Sequence, residues 1–113
     1  MLENQVNFIE LQAGIPKDET LTLLGDFFKT IGDPTRLKIL FALSQQDLNV
    51  HDISLTTIIS VSAISHQLAA LKRMGLVAAR RDGKNMIYRL DDSHIHGIIQ
   101  LAKDHLSEPR SLE

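Results

Sequence analysis

Four side chains near the C-terminal end, Asp92, His94, His105 and Glu108, follow the spacing D-x-H-x10-H-x2-E. Carboxylate and imidazole are the non-sulfur ligands that zinc and its neighbours accept, so the chemistry on offer is metal binding. Ile95, Ile98, Ile99, Ala102 and Leu106 recur between them at helical spacing, which predicts one amphipathic helix across 92–108. At about 100° per residue, His94 and His105 fall within roughly 20° of one another around the axis but about 16 Å apart along it. Metal–imidazole bonds are about 2.1 Å long, so one straight helix cannot close a site on both. Two copies packed antiparallel can. Asp92 and His94 of one copy would then meet His105 and Glu108 of the other, giving two equivalent four-ligand sites across a twofold axis. Asp92 stands at the helix start, where the backbone is not yet helical and the carboxylate is free to turn inward. His105 and Glu108, at i and i+3, are helix neighbours. The competing account is four polar residues on a solvated face. His96 falls on the arc of Gln100, Lys103 and Asp104, so it is expected to face solvent rather than to act as a fifth ligand.

The elements that must position this helix occupy a short chain. Its 113 residues, 43% hydrophobic, predict one small domain, and a domain of this size gains from burying further apolar surface in a dimer. The chain has no cysteine, which excludes disulfides and thiolate metal sites. The start, MLENQVNFIELQ, lacks a basic segment followed by a continuous apolar run, and no stretch approaches the ~18 apolar residues of a membrane span. A cytoplasmic protein is the expectation. The net charge of −2 hides an asymmetry. Lys72, Arg73, Arg80, Arg81, Lys84 and Arg89 stand against Asp82 alone in 72–89, a local +5 that leaves −7 on the rest. A basic segment on an acidic body suits a DNA-binding module, although such a cluster is also an ordinary solvated surface.

Along the chain, residues 1–16 form an N-terminal arm or marginal helix with Val6, Phe8, Ile9 and Leu11 as its apolar pattern. Leu21, Leu24, Phe27, Phe28 and Ile31 predict a helix over 17–31, capped by Asp18 or Thr20. Asp33-Pro34 starts the next, an acid at the cap and a proline where no N–H is needed. Leu37, Leu40, Leu43 and Phe41 face its core, and Asp47, Leu48 and Asn49 are read as a turn. A short helix over 51–58 carries Ile53 and Leu55 inward. A second, over 60–74, is capped by Ser60 or Ser62, buries Ile64, Leu68 and Leu71, and ends at Gly75.

These two helices predict a helix-turn-helix. The second exposes Ser62, Ala63, Ser65, His66 and Gln67, small and hydrogen-bonding side chains suited to base edges, and Lys72, suited to phosphate. Strand-like runs 76–80 and 86–90 flank Asp82-Gly83-Lys84-Asn85, a hairpin signature. With Arg80, Arg81 and Lys84 on it, the hairpin reads as a wing that reaches along the DNA backbone or into a minor groove. Pro109 stops the last helix, and 109–113 are expected to be a disordered tail. The fold class is mainly α with a small β-hairpin wing, a winged helix-turn-helix domain over 17–108.

From about Leu24 to Glu108 the order of these pieces resembles the ArsR/SmtB family of bacterial metal-responsive winged-helix repressors. GDPTRLKILFAL (32–43), VSAISHQLAALKRMGLV (61–77), RRDGKNMIYRL (80–90) and the four-ligand spacing carry the resemblance. It implies a homodimeric repressor that binds operator DNA when metal-free. Zinc, or else cobalt or nickel, bound between the two last helices would release it. It also implies that Ser62, Ser65 and His66 enter the major groove, and that the second nitrogen of His105 signals toward a backbone carbonyl near Gly75. Two departures stand out. Val61 occupies a place where several relatives carry Gln. Asn49 and His51 stand where many relatives have a cysteine-rich site, so that site is expected to be absent and His51 to lie on the surface. An alternative keeps the DNA binding and responds to a non-metal signal. A zinc hydrolase is disfavoured: four protein ligands leave no open position, and no nucleophile pair or phosphate loop accompanies them.

Overall fold

A computed structural model describes residues 5–109. Helices α1 (Phe8–Ala13), α2 (Asp18–Ile31) and α3 (Pro34–Leu43) lead into a two-residue strand β1 (Leu48–Asn49). Helices α4 (Val50–Thr57) and α5 (Val61–Arg73), strands β2 (Val77–Asp82) and β3 (Asn85–Leu90), and helix α6 (Ser93–Ser107) follow. Apart from Pro109, the tail at 109–113 lies outside the described residues, as do the first four residues of the arm.

Helix α3 is the centre. Asp33 caps it by accepting from the Arg36 N–H at 3.0 Å, with Pro34 in the first turn, and Ile39, Leu40, Ala42 and Leu43 are all buried. A helix apolar on most of its circumference belongs inside. Around it pack α4 through Ile53, α5 through Ile64, Leu68 and Leu71, and α6 through Ile95 and Ile99.

The α4–α5 pair meets at 111°, within the roughly 90–120° of a helix-turn-helix. Ile58 makes the turn in the left-handed region (φ 59°, ψ 43°), and Ser60 caps α5 by accepting from the Ala63 N–H at 3.2 Å. At its far end α5 closes in a Schellman motif. Leu76 N–H donates to the Leu71 carbonyl (2.9 Å) and Gly75 N–H to that of Lys72 (3.0 Å), with Gly75 at φ 72°.

Strands β2 and β3 form the expected hairpin, in register from Val77↔Leu90 to Asp82↔Asn85. They turn through Gly83-Lys84 with Gly83 at φ 63°, so Gly occupies the one position of the turn with positive φ. Residues 47–49 differ from the expected turn. Leu48 and Asn49 pair with Tyr88 and Ile87, making a three-stranded sheet in the order β1-β3-β2. Two residues carry no periodicity, and their partner lies some forty positions on, so local sequence could not reveal the strand.

Leu55 also departs from expectation: it is 66% exposed, whereas Ile53 and Thr57 are buried. Residues 53 and 57 are i and i+4 on one face, and 55 points about 200° away from Ile53. The Thr57 hydroxyl is satisfied by donating to the Ile53 carbonyl at 2.7 Å. Helix α2 begins at Asp18 after Lys17, with no side-chain cap. In α1, Asn7 accepts from the Glu10 N–H at 3.1 Å, but the helix buries no residue.

Candidate functional site

The metal-ligand candidates sit at the two ends of α6. Asp92 is its N-cap: the backbone is extended (φ −152°, ψ 172°) and Oδ1 accepts from the His94 N–H at 2.8 Å. The same oxygen lies 3.2 Å from His94 Nδ1, so the structure brings this pair together on a side open to solvent. His105 is in the last turn. Glu108 lies one residue past the helix, extended at φ −71°, ψ 141°, its N–H 3.4 Å from the His105 carbonyl. Its N–H still reaches back one turn to His105, and the chain leaves the helix only after Glu108.

Within one chain, no group of three or more His, Asp or Glu converges among the described residues. The donor chemistry fits a divalent ion: two carboxylates and two imidazoles, all exposed and with no thiolate. His96 is exposed as well, and Gln100 Nε2 donates to Asp104 Oδ1 at 2.9 Å along that solvated arc.

Between the ligand pairs the apolar stripe is only half covered. Ile95 and Ile99 are buried and Ile98 partly so, but Ala102 and Leu106, expected on the same packed face, are exposed. They line an open apolar groove of about 470 Å³ shared with Phe28, Ile31, Leu37 and Phe41. Leu21 and Leu24, on the same helix as Phe28, are exposed as well. None of the described residues covers this face, and an uncovered apolar face of this kind marks an interaction surface.

The nucleic-acid candidates on α5, the recognition helix of the predicted helix-turn-helix, lie off its core stripe of Ile64, Leu68 and Leu71. Ser62 and His66 point about 160° from Ile64, and Ser62, Ala63, Ser65 and His66 are exposed. Gln67 differs: it is half-buried, and its Oε1 accepts from Arg36 Nε at 2.8 Å. Lys72 is exposed in the last turn of α5, Arg81 near the hairpin tip and Lys84 in the tip itself. Arg80 is held by Asp47, Nη1 to Oδ2 at 2.9 Å, with both side chains about half exposed. Sequence reasoning missed Arg36 and Asp47, whose partners lie 31 and 33 positions away. In the DLNVHD stretch, Asn49 accepts from the Asp52 N–H at 2.8 Å to cap α4, and His51 is exposed.

The family model of the bacterial regulatory proteins, arsR family, matches residues 33–79, from the cap of α3 through β1, α4 and α5 into the start of β2. A cadmium resistance transcriptional regulatory protein CadC homolog from Staphylococcus aureus is 36% identical over 86 residues, covering 75% of this chain and 71% of that one. The chain belongs to the ArsR family. A transcriptional repressor SmtB homolog from Synechocystis is 40% identical over 85 residues, 75% of this chain and 64% of that protein. The solution structure of a homodimeric winged helix-turn-helix DNA-binding domain from Mycobacterium bovis superposes with a TM-score of 0.71 at 28% identity, covering 89% of this chain and 99% of that one. This ArsR-family chain is a transcriptional regulator of the metal-sensing ArsR/SmtB class, with a winged-helix DNA-binding fold, and not an enzyme. Among the described residues no single helix is long and apolar enough to cross a membrane.

Proposed function

We propose that the chain is a metal-responsive repressor that binds operator DNA as a metal-free homodimer in the cytoplasm and leaves it when zinc binds. Cobalt and nickel are the other ions the ligands suit. The observation that carries this is the layout of α6, with Asp92 and His94 at one end, His105 and Glu108 at the other, and between them an apolar stripe left open at Ala102 and Leu106. An antiparallel partner covers that stripe and completes two sites, the isologous arrangement. Asp92 and His94 of one protomer and His105 and Glu108 of its partner would hold the ion, which supplies a charged tie between the two helices. Ser62, Ala63, Ser65 and His66 are the proposed groove contacts, with Gln67 beside them, and Lys72, Arg80, Arg81 and Lys84 the proposed phosphate contacts.

Metal weakens DNA binding only if it favours a dimer geometry in which the two recognition helices misfit successive major grooves. Coupling of about 1–3 kcal/mol lowers affinity about 5- to 150-fold. The cadmium resistance regulator among the relatives supports a metal inducer. Fluorescence anisotropy of the protein on its own promoter DNA, titrated with zinc and then chelator, tests the proposal. Release by zinc, recovery by chelator and loss of the response in His105→Ala are the expected results. Zinc that binds without releasing DNA makes the metal structural.

The alternative is a non-metal inducer. In that reading the apolar groove of about 470 Å³ takes a small apolar molecule in place of part of the partner helix. Loss of metal affinity in His94→Ala, together with loss of induction, argues against it.

A further inference from the structure

Gln67 belongs by residue type with the base-reading side chains, yet its position on α5 sets it apart. Taking Ile64 as the centre of the buried stripe, Gln67 lies about 60° away, on the flank, whereas Ser62 and His66 lie about 160° away. On that flank Oε1 accepts from Arg36 Nε at 2.8 Å. The same guanidinium donates through Nη1 to the Thr30 carbonyl at 3.3 Å, and the Arg36 backbone N–H donates to the Asp33 cap. Thr30 is in the last turn of α2, where carbonyls lack helical partners and a cation is favoured. One half-buried side chain thus joins the end of α2, the start of α3 and the middle of the recognition helix.

Apolar packing sets which face of α5 is buried but supplies no directional contact on its flank. Ile64, Leu68 and Leu71 form a single stripe, and the hydrophobic effect is non-directional. A charge-assisted hydrogen bond from the side is directional. We propose that Arg36 and Gln67 form a strut that sets the roll of the recognition helix, making both positioning residues and leaving base preference to Ser62, Ser65 and His66. This rests on the operator-binding part of the proposed function and is independent of the metal.

The test begins with operators selected by the wild-type dimer from a pool of randomised DNA duplexes. Affinities of wild type, Gln67→Ala, Arg36→Ala and the double variant are then measured on the selected operator and on its single-base-pair variants. Each single substitution is expected to weaken binding about tenfold, the scale of a hydrogen bond to a charged group. The double variant should lose no more than the weaker single, and the order of preferred bases should not change. Arg36→Lys keeps the charge and loses the Nε donor, so it should bind like Arg36→Ala. It also serves if Arg36→Ala does not fold.

A changed preference at one base pair in Gln67→Ala makes Gln67 a base reader and overturns the strut. So do losses that multiply, or Arg36→Lys binding like wild type. If wild type selects no operator at all, it is the proposed function that fails.

Discussion

The carbonyl of Leu76 accepts a hydrogen bond from the N–H of Asp91 at 3.0 Å. Leu76 also closes the recognition helix, its own N–H donating to the Leu71 carbonyl, and Asp91 immediately precedes the ligand candidate Asp92. One residue therefore links the end of α5 to the start of α6. Under the proposed function, a movement of the α6 N-terminus would have a short route to the recognition helix here. Zinc should slow hydrogen exchange at the Asp91 amide in the wild-type dimer, by a factor within the ~5–150-fold range of site-to-site coupling. Exchange that zinc leaves unchanged at Asp91 while DNA is released would place the route elsewhere.

Ile58 holds a left-handed conformation at φ 59° and is 88% exposed. That conformation costs a side-chain-bearing residue about 1–2 kcal/mol, and β-branching makes it worse. Ile58→Gly removes the clash and sacrifices little burial, offset in part by unfolded-chain entropy. Urea unfolding should show a gain of about 1 kcal/mol, as a raised midpoint with an unchanged slope.

Ile53 and Leu55 lie two residues apart in α4 and face opposite ways. Ile53→Ala opens a cavity in the core and should cost about 2–5 kcal/mol. Leu55→Ala should stay within about 0.5 kcal/mol of wild type. Denaturant midpoints compare the two directly, and equal losses would contradict the packing described.

Among the wing cations, Arg81 and Lys84 are exposed without a side-chain partner among the described residues, while Arg80 is paired with Asp47. Removing one phosphate contact lowers the slope of log affinity against log salt by about 1. Lys84→Ala and Arg81→Ala should each show this drop across all operator variants. Arg80→Ala should show less, because its charge is already partly answered. Titrations at several salt concentrations decide.

Leu106 is 69% exposed and Phe28 54% exposed on the uncovered groove. A carboxylate in a dimer interface must be desolvated without a partner, so Leu106→Glu should shift the protein toward monomer. Sedimentation velocity reads this, and an unshifted dimer would move the interface off this face.

Much of this protein was legible from its sequence because the signals are local. Asp33-Pro34 starts α3, the spacing of Ile64, Leu68 and Leu71 gives the buried face of α5, and Gly75 and Gly83 mark the helix end and the hairpin turn. Helix rise alone places His94 and His105 too far apart along one straight helix to share an ion. Tertiary structure decided what depends on distant partners. Strand β1 exists because Leu48 and Asn49 meet Tyr88 and Ile87, and Arg36 reaches Gln67 because α3 and α5 cross. Apolar periodicity marks a face but does not say what covers it. Leu55 is therefore exposed although apolar, and Ala102 and Leu106 lie open at the end of a stripe whose other half is core.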